Sequence, residues 1–233
     1  MQIIRLALSM CITLFAINMA QSEPITIKTR SQILSATSGG KYRSIENEAT
    51  WESSKTAVII VDMWDDHWCP KAAKRVAEMS KPMNKVIKLA RDKGMFIIHA
   101  PSSTVDFYKG TAARKRAINA PSAKPPKPLS KDVRWGTNWC WPDKFRETEL
   151  PIDDSDMGCD CEEEFPIQEA WSRQIETIEI DEQLDAITDN GQEAYNLLVK
   201  HKIENIILMG VHLNMCVLGR PIGIRQMVNI GKN

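Results

Sequence analysis

Asp62 directly follows a short apolar run and Cys216 lies in the turn after another, and an acid and a thiol are the residue types that acyl transfer needs. Cys216 lies within the stretch Ile206–Arg220, which reads I-I-L-M-G-V-H-L-N-M-C-V-L-G-R. Ile206–Met209 is apolar and stops at Gly210, and the thiol comes within the next turn, where a new helix can begin. Unpaired backbone N–H groups and the positive end of a helix dipole favour thiolate over thiol at such a place. The ordinary alternative is a buried structural cysteine behind a core strand. Asp62 ends the run Thr56–Val61 (T-A-V-I-I-V). The carboxyl end of a buried parallel strand is where α/β sheets place their sites, and the competing reading is a solvated turn carboxylate.

The elements that must carry these two residues alternate along the chain. Thr56–Val61 is β-branched and apolar, hence a buried strand. Lys71–Lys93 shows helical spacing through Ala73, Val76, Ala77, Met83, Val86, Ile87 and Ala90, with Pro82 starting or bending its second part. Gly94 ends it, and Met95–Ile98 forms a second strand leading to His99, which reads as a loop or core histidine. Thr177–Ile180 is the candidate third strand, Glu193–Ile203 a helix, and Ile206–Met209 the strand before Cys216. Pro221 and Gly223 interrupt the start of a final helix, and little chain remains for another strand before Asn233. Repeated strand–helix alternation predicts an α/β fold, a doubly wound three-layer sandwich on a mainly parallel sheet.

Two stretches fall outside this rhythm. Residues 21–54 are polar and read as an N-terminal extension, a strand or arm on the domain surface. Residues 101–165 form a long insertion into the domain at 55–233. It holds a Lys-Pro-rich run, Trp135, Trp139, Trp141 and the acidic run Asp153–Glu164 with Cys159-Asp160-Cys161. Met1–Ala20 has Arg5, an apolar Leu6–Ala16 and a small residue at its end, so it reads as a signal peptide for a periplasmic or secreted protein. An uncleaved membrane anchor is the alternative. Once the signal is removed, Cys69, Cys140, Cys159, Cys161 and Cys216 remain. Five thiols in an oxidising compartment suggest two pairs and one free, with a disulfide inside the insertion, from Cys140 to Cys159 or Cys161, preferred over a structural metal. The net charge of +0 leaves no electrostatic footprint for nucleic acid or an anionic membrane. Asp65 and His67 are too few ligands for a metal site, and neither metal nor cofactor is expected.

With Asp62 ending its strand and G-V-H-L-N-M-C-V at 210–217, the chain from about Lys55 onward resembles the isochorismatase-like cysteine hydrolases, which include nicotinamidases and carbamoylsarcosine amidases. The resemblance implies a Rossmann-like topology and a site built from an Asp, a Lys and a Cys, of which Asp62 and Cys216 match the first and last. It also implies a cis peptide at Val211–His212, whose turn, with the Cys216 N–H, would form the oxyanion site. The family lysine has no counterpart in E-I-D-E-Q-L-D-A-I-T-D at 179–189, and Arg173 and Lys200 lie off the third strand. The implied reaction is hydrolysis of a small amide or related C–N bond through a Cys216 thioester, with Asp62 as general base. Trp64 and Trp68 are candidate walls for a flat small-molecule substrate, and a homo-oligomer is possible. The alternative is an exported binding or scaffold protein that keeps the fold without catalysis.

Overall fold

A computed structural model describes residues 23–34, 42–124, 126 and 157–233. The expected signal peptide, Cys140 and the three insertion tryptophans lie outside the described residues. The architecture is mixed α/β, a four-stranded parallel sheet flanked by helices and compatible with a Rossmann-like fold. The N-terminal extension is an antiparallel hairpin, β1 (Pro24–Leu34) on β2 (Tyr42–Glu52), paired from Pro24↔Glu52 to Leu34↔Tyr42.

Strand β3 (Thr56–Val61) is the axis of the sheet, whose order is β5-β4-β3-β6. All six of its residues are buried, which is why its sequence is an unbroken apolar run rather than an alternation. Its side chains divide between two cores. Ala57, Ile59 and Val61 pack with Leu197 and Leu198 of α3 (Gly191–Lys200) and with Val217 and Met227. Val58 and Ile60 pack with Val76, Met83, Ile87 and Ala90 of α1 (Pro70–Asp92). Those four α1 residues recur at helical intervals and bury one stripe of the helix.

Pro70 opens α1, where a missing N–H costs nothing, and Gly94 closes it at φ 82°. Pro82 neither starts nor ends a segment; α1 runs through it as one helix. Strand β4 (Phe96–Ala100) takes in His99, which is fully buried. The helix α2 (Ala112–Ile118) then begins at Thr111, whose hydroxyl accepts from the Arg114 N–H. The third strand departs from expectation. Thr177–Ile180 is irregular, Ile178 being buried in the α1-side core, and the pairing falls instead to β5 (Ala186–Ile187). Ile178 satisfied a strand pattern because it packs inward, without pairing to the sheet. Strand β6 (Asn205–Gly210) lies beside β3 in register Val61↔Gly210, and α4 (Ile224–Asn229) is the last helix.

Gly210 explains why the apolar run stops where it does. At φ 153° its backbone sits so close to β3 that a Cβ would lie 2.1 Å from the Val61 carbonyl oxygen. Gly210→Ala is therefore expected to destabilise the protein by well over the ~1 kcal/mol of an ordinary Gly–Ala exchange. Urea unfolding followed by circular dichroism would measure it, and a near-neutral result would mean that β6 does not approach β3 this closely.

Candidate active site

The segments that follow β3 and β6 bring Asp62 and Cys216 together. Asp62 leaves β3 at φ 51° with its N–H on the Ala100 carbonyl, and its side chain is completely buried. Oδ1 accepts from the Ser102 N–H at 2.8 Å, and Oδ2 accepts from Arg220 Nε at 3.2 Å. Cys216 is 3% exposed and interacts with both partners of that ion pair. Arg220 went unassigned at the level of sequence. Its signal was the spacing: it follows Cys216 by four residues, and its N–H donates to the Cys216 carbonyl as in a helical turn. A cation thus reaches the Asp–Cys pair from the cysteine's own segment instead of from the third strand.

The turn carrying the thiol differs from expectation in two ways. Val211–His212 is not cis, since no cis peptide occurs among the described residues. The reversal is made instead by Gly210 and by His212 in the left-handed region at φ 58°, ψ 62°. A non-proline cis bond costs about 3 kcal/mol, whereas a left-handed histidine costs less. The segment Leu213–Val217 then winds as a π-helical turn rather than an α-helix start. Met215 and Val217 both donate their N–H groups to the His212 carbonyl, so the Met215 N–H is already used and is not an oxyanion donor.

Beside this pair lies a cavity of about 360 Å³ whose walls include Trp64, His67, Val211, His212, Arg75 and Gly158. Asp62 and Cys216 are not part of its lining. His212 connects the two, bordering the cavity and holding its Nδ1 3.6 Å from the Cys216 Sγ. Of the two expected substrate walls, Trp64 lines the cavity, while Trp68 is not in the lining and sets its ring at a tilt to that of His67, 5.2 Å away. Trp171, which the sequence reading passed over, stacks on Trp64 at 4.1 Å and 5°.

A buried polar network supports this wall from behind. Arg91 and His99 converge on Asp185, and His99 Nδ1 meets Gln174 Oε1 at 3.0 Å. Gln174 in turn pairs through its backbone with Trp64. Burial alone would raise the Asp185 carboxyl, but the hydrogen bonds from His99 and Arg91 hold it below its usual range. Asp65 is engaged by hydrogen bonds, whereas His67 stands in the cavity wall. It accepts from the Ser172 N–H and hydroxyl and from the Arg173 N–H, which ties the Trp64 loop to the segment carrying Trp171.

Burial, with Asp62 adding to it, pushes the Cys216 thiol well above its usual range, while Arg220 pulls the other way. That balance favours the neutral thiol over the thiolate at Cys216. Burial lowers His212, with Asp62 opposing and Arg220 reinforcing, and burial together with His212 takes His67 down to about 4. His201 is lowered in the same sense, again chiefly by burial. A histidine that binds its proton less readily when folded lets the unfolded chain take up more protons below about 6.5. Stability should therefore fall as pH drops from about 6.5 toward 4, where His67 itself titrates. A thermal-unfolding series over that range tests this, and His67→Asn should flatten part of the slope. A melting temperature constant down to pH 4 would contradict it.

Compared with known protein families and with curated proteins, the chain matches no family and none of those proteins.

Proposed function

We propose that the chain is an exported cysteine hydrolase of the isochorismatase-like kind, a doubly wound three-layer sandwich that cleaves a small amide or related C–N bond. The observation that carries this reading is the contact of one buried carboxylate, one guanidinium and one thiol at the ends of β3 and β6. Packing of β3 side chains into cores on both sheet faces supports the layered architecture. Export rests on the Met1–Ala20 pattern and is supported by the Cys69–Cys159 disulfide, a bond of oxidising compartments.

Because the thiol rests neutral, proton transfer accompanies attack. The Cys216 proton passes to Asp62 as sulfur bonds to the carbonyl carbon, the C–N bond breaks, and the amine leaves with that proton. Water then adds to the thioester, giving its proton to Asp62, and the acid departs as sulfur regains its hydrogen. Arg220 fixes the Asp62 carboxylate and favours negative charge on sulfur, the duty that the family assigns to a lysine. Trp64 and His67 contribute to the wall against which a planar substrate would rest.

The second reading is a binding protein without catalysis, and the separation of the cavity lining from Cys216 favours it. Incubating the protein with activated acyl amides and mapping peptide masses distinguishes the two. An acyl adduct on Cys216 that water discharges supports the hydrolase. Saturable ligand binding with no adduct at any pH supports the binding protein.

A further inference from the structure

The segment Cys159-Asp160-Cys161 was expected to close a disulfide within the insertion. Cys159 instead bonds to Cys69, at the start of α1, which ties the insertion to the helix beside the cavity. Cys161 is left as a half-buried free thiol with its Sγ 3.7 Å from the Sγ of Cys69. The three sulfurs all lie within 4.8 Å of one another. Between the two cysteines, Asp160 is held against the first turns of α1. Arg75 Nη1 meets its carboxylate at 2.5 Å, and Lys71 Nζ donates to its carbonyl oxygen at 2.5 Å. This clamp grips the middle of the Cys-x-Cys unit, so that a thiol on either side of Asp160 faces the one buried sulfur of Cys69.

We infer that Cys69 is shared between Cys159 and Cys161 by internal thiol–disulfide exchange. The Cys161 thiolate attacks the Cys69 sulfur, a Cys69–Cys161 bond forms, and the Cys69–Cys159 bond breaks. The bonding electron pair leaves on Cys159, which takes up a proton equivalent to the one Cys161 released. The count of disulfides does not change, and no outside oxidant or reductant is consumed. Asp160 stays clamped in both isomers while Cys159 is freed or held. Gly158, adjacent to Cys159 and part of the cavity wall, is left-handed at φ 74°. The exchange therefore moves the covalent anchor of the insertion from the residue next to this wall to Cys161, whether or not the protein is a hydrolase.

The test uses the whole oxidised protein, purified without reductant. It is incubated for hours at pH about 8.5, where free thiols are substantially ionised, then quenched with acid, alkylated and digested. Two populations are expected: Cys69–Cys159 with alkyl label on Cys161, and Cys69–Cys161 with label on Cys159, within about tenfold of each other. Cys159→Ser should yield the Cys69–Cys161 bond, and Cys161→Ser only the Cys69–Cys159 bond. Label confined to Cys161 in the unsubstituted protein would overturn the inference. So would a bond from Cys69 to Cys140, or Cys69 and Cys161 both alkylated in Cys159→Ser. The measurement on the unsubstituted protein decides the matter even if a variant fails to fold.

Discussion

Cys216→Ala is expected to lower amide turnover by about 10⁴-fold, the scale on which loss of a covalent nucleophile is felt. Its effect on stability should be small by comparison. Cys216 is packed beside Val217, Ile222 and Met227, and deleting one sulfur opens a hole worth about 1 kcal/mol. The split between a large kinetic and a small thermodynamic effect separates a nucleophile from a buried structural cysteine, which would show the reverse. The raised thiol pKa adds a second readout. Alkylation of Cys216 should be slow near neutral pH, with a midpoint above that of free cysteine, about 8.5. A fast-labelling thiolate at pH 7 would overturn the neutral resting state, and turnover unchanged in Cys216→Ala would remove Cys216 from the chemistry.

Much of the frame around this site was legible in the residues. Thr56–Val61 is a strand with the bounds its run announced, because burial on both faces favours apolar side chains from Ala57 to Val61. Ile206–Met209 was equally plain, and so was the helix over 71–93, whose stripe and Gly94 stop are local signals. What remained hidden depended on contacts far apart in sequence. Ile178 is apolar because it plugs the α1-side core, so its short run imitated a strand. Cys69 and Cys159 are separated by 90 residues, and no spacing rule foretells such a pair. Trp171 follows an acidic run and gains meaning only when Asp65 pins its neighbours Ser172 and Arg173 beside Trp64.

The backbone at the site shows the same division. Asp62 and His212 both have positive φ, an arrangement that aspartate and histidine tolerate better than branched residues. Such conformations cost about 1 kcal/mol or more each and persist where the surrounding structure holds them. Here the hold is visible: the Asp62 N–H and carboxylate are pinned by Ala100, Ser102 and Arg220, and the His212 carbonyl takes two N–H groups of the π-turn. No local pattern in D-M-W or G-V-H announces this, because the restraints come from β4 and from the segment after Cys216.

Arg220 supports the second large prediction, since its side chain is 20% exposed while the carboxylate it meets is 0% exposed. Arg220→Met would leave Asp62 with the Ser102 N–H and no cation, an uncompensated buried charge costing about 3 kcal/mol. Asp62→Asn in the same chain should recover part of that loss, because it removes the stranded charge while keeping a group that can accept from Ser102. A thermodynamic cycle over the four proteins measures the coupling, and strictly additive losses would show that the pair is not an energetic unit. Arg220 also draws the Cys216 thiol downward, against burial and Asp62. Arg220→Met should therefore move the alkylation midpoint of Cys216 further up and reduce turnover by about 10²-fold. A merely structural arginine would leave that midpoint unmoved. Arg220→Lys keeps the charge but loses the planar fork, so it should restore much of the thiol's reactivity and less of the stability. If lysine restores both fully, the site asks only for a positive charge near Asp62, and the chain position supplying it is immaterial to the chemistry.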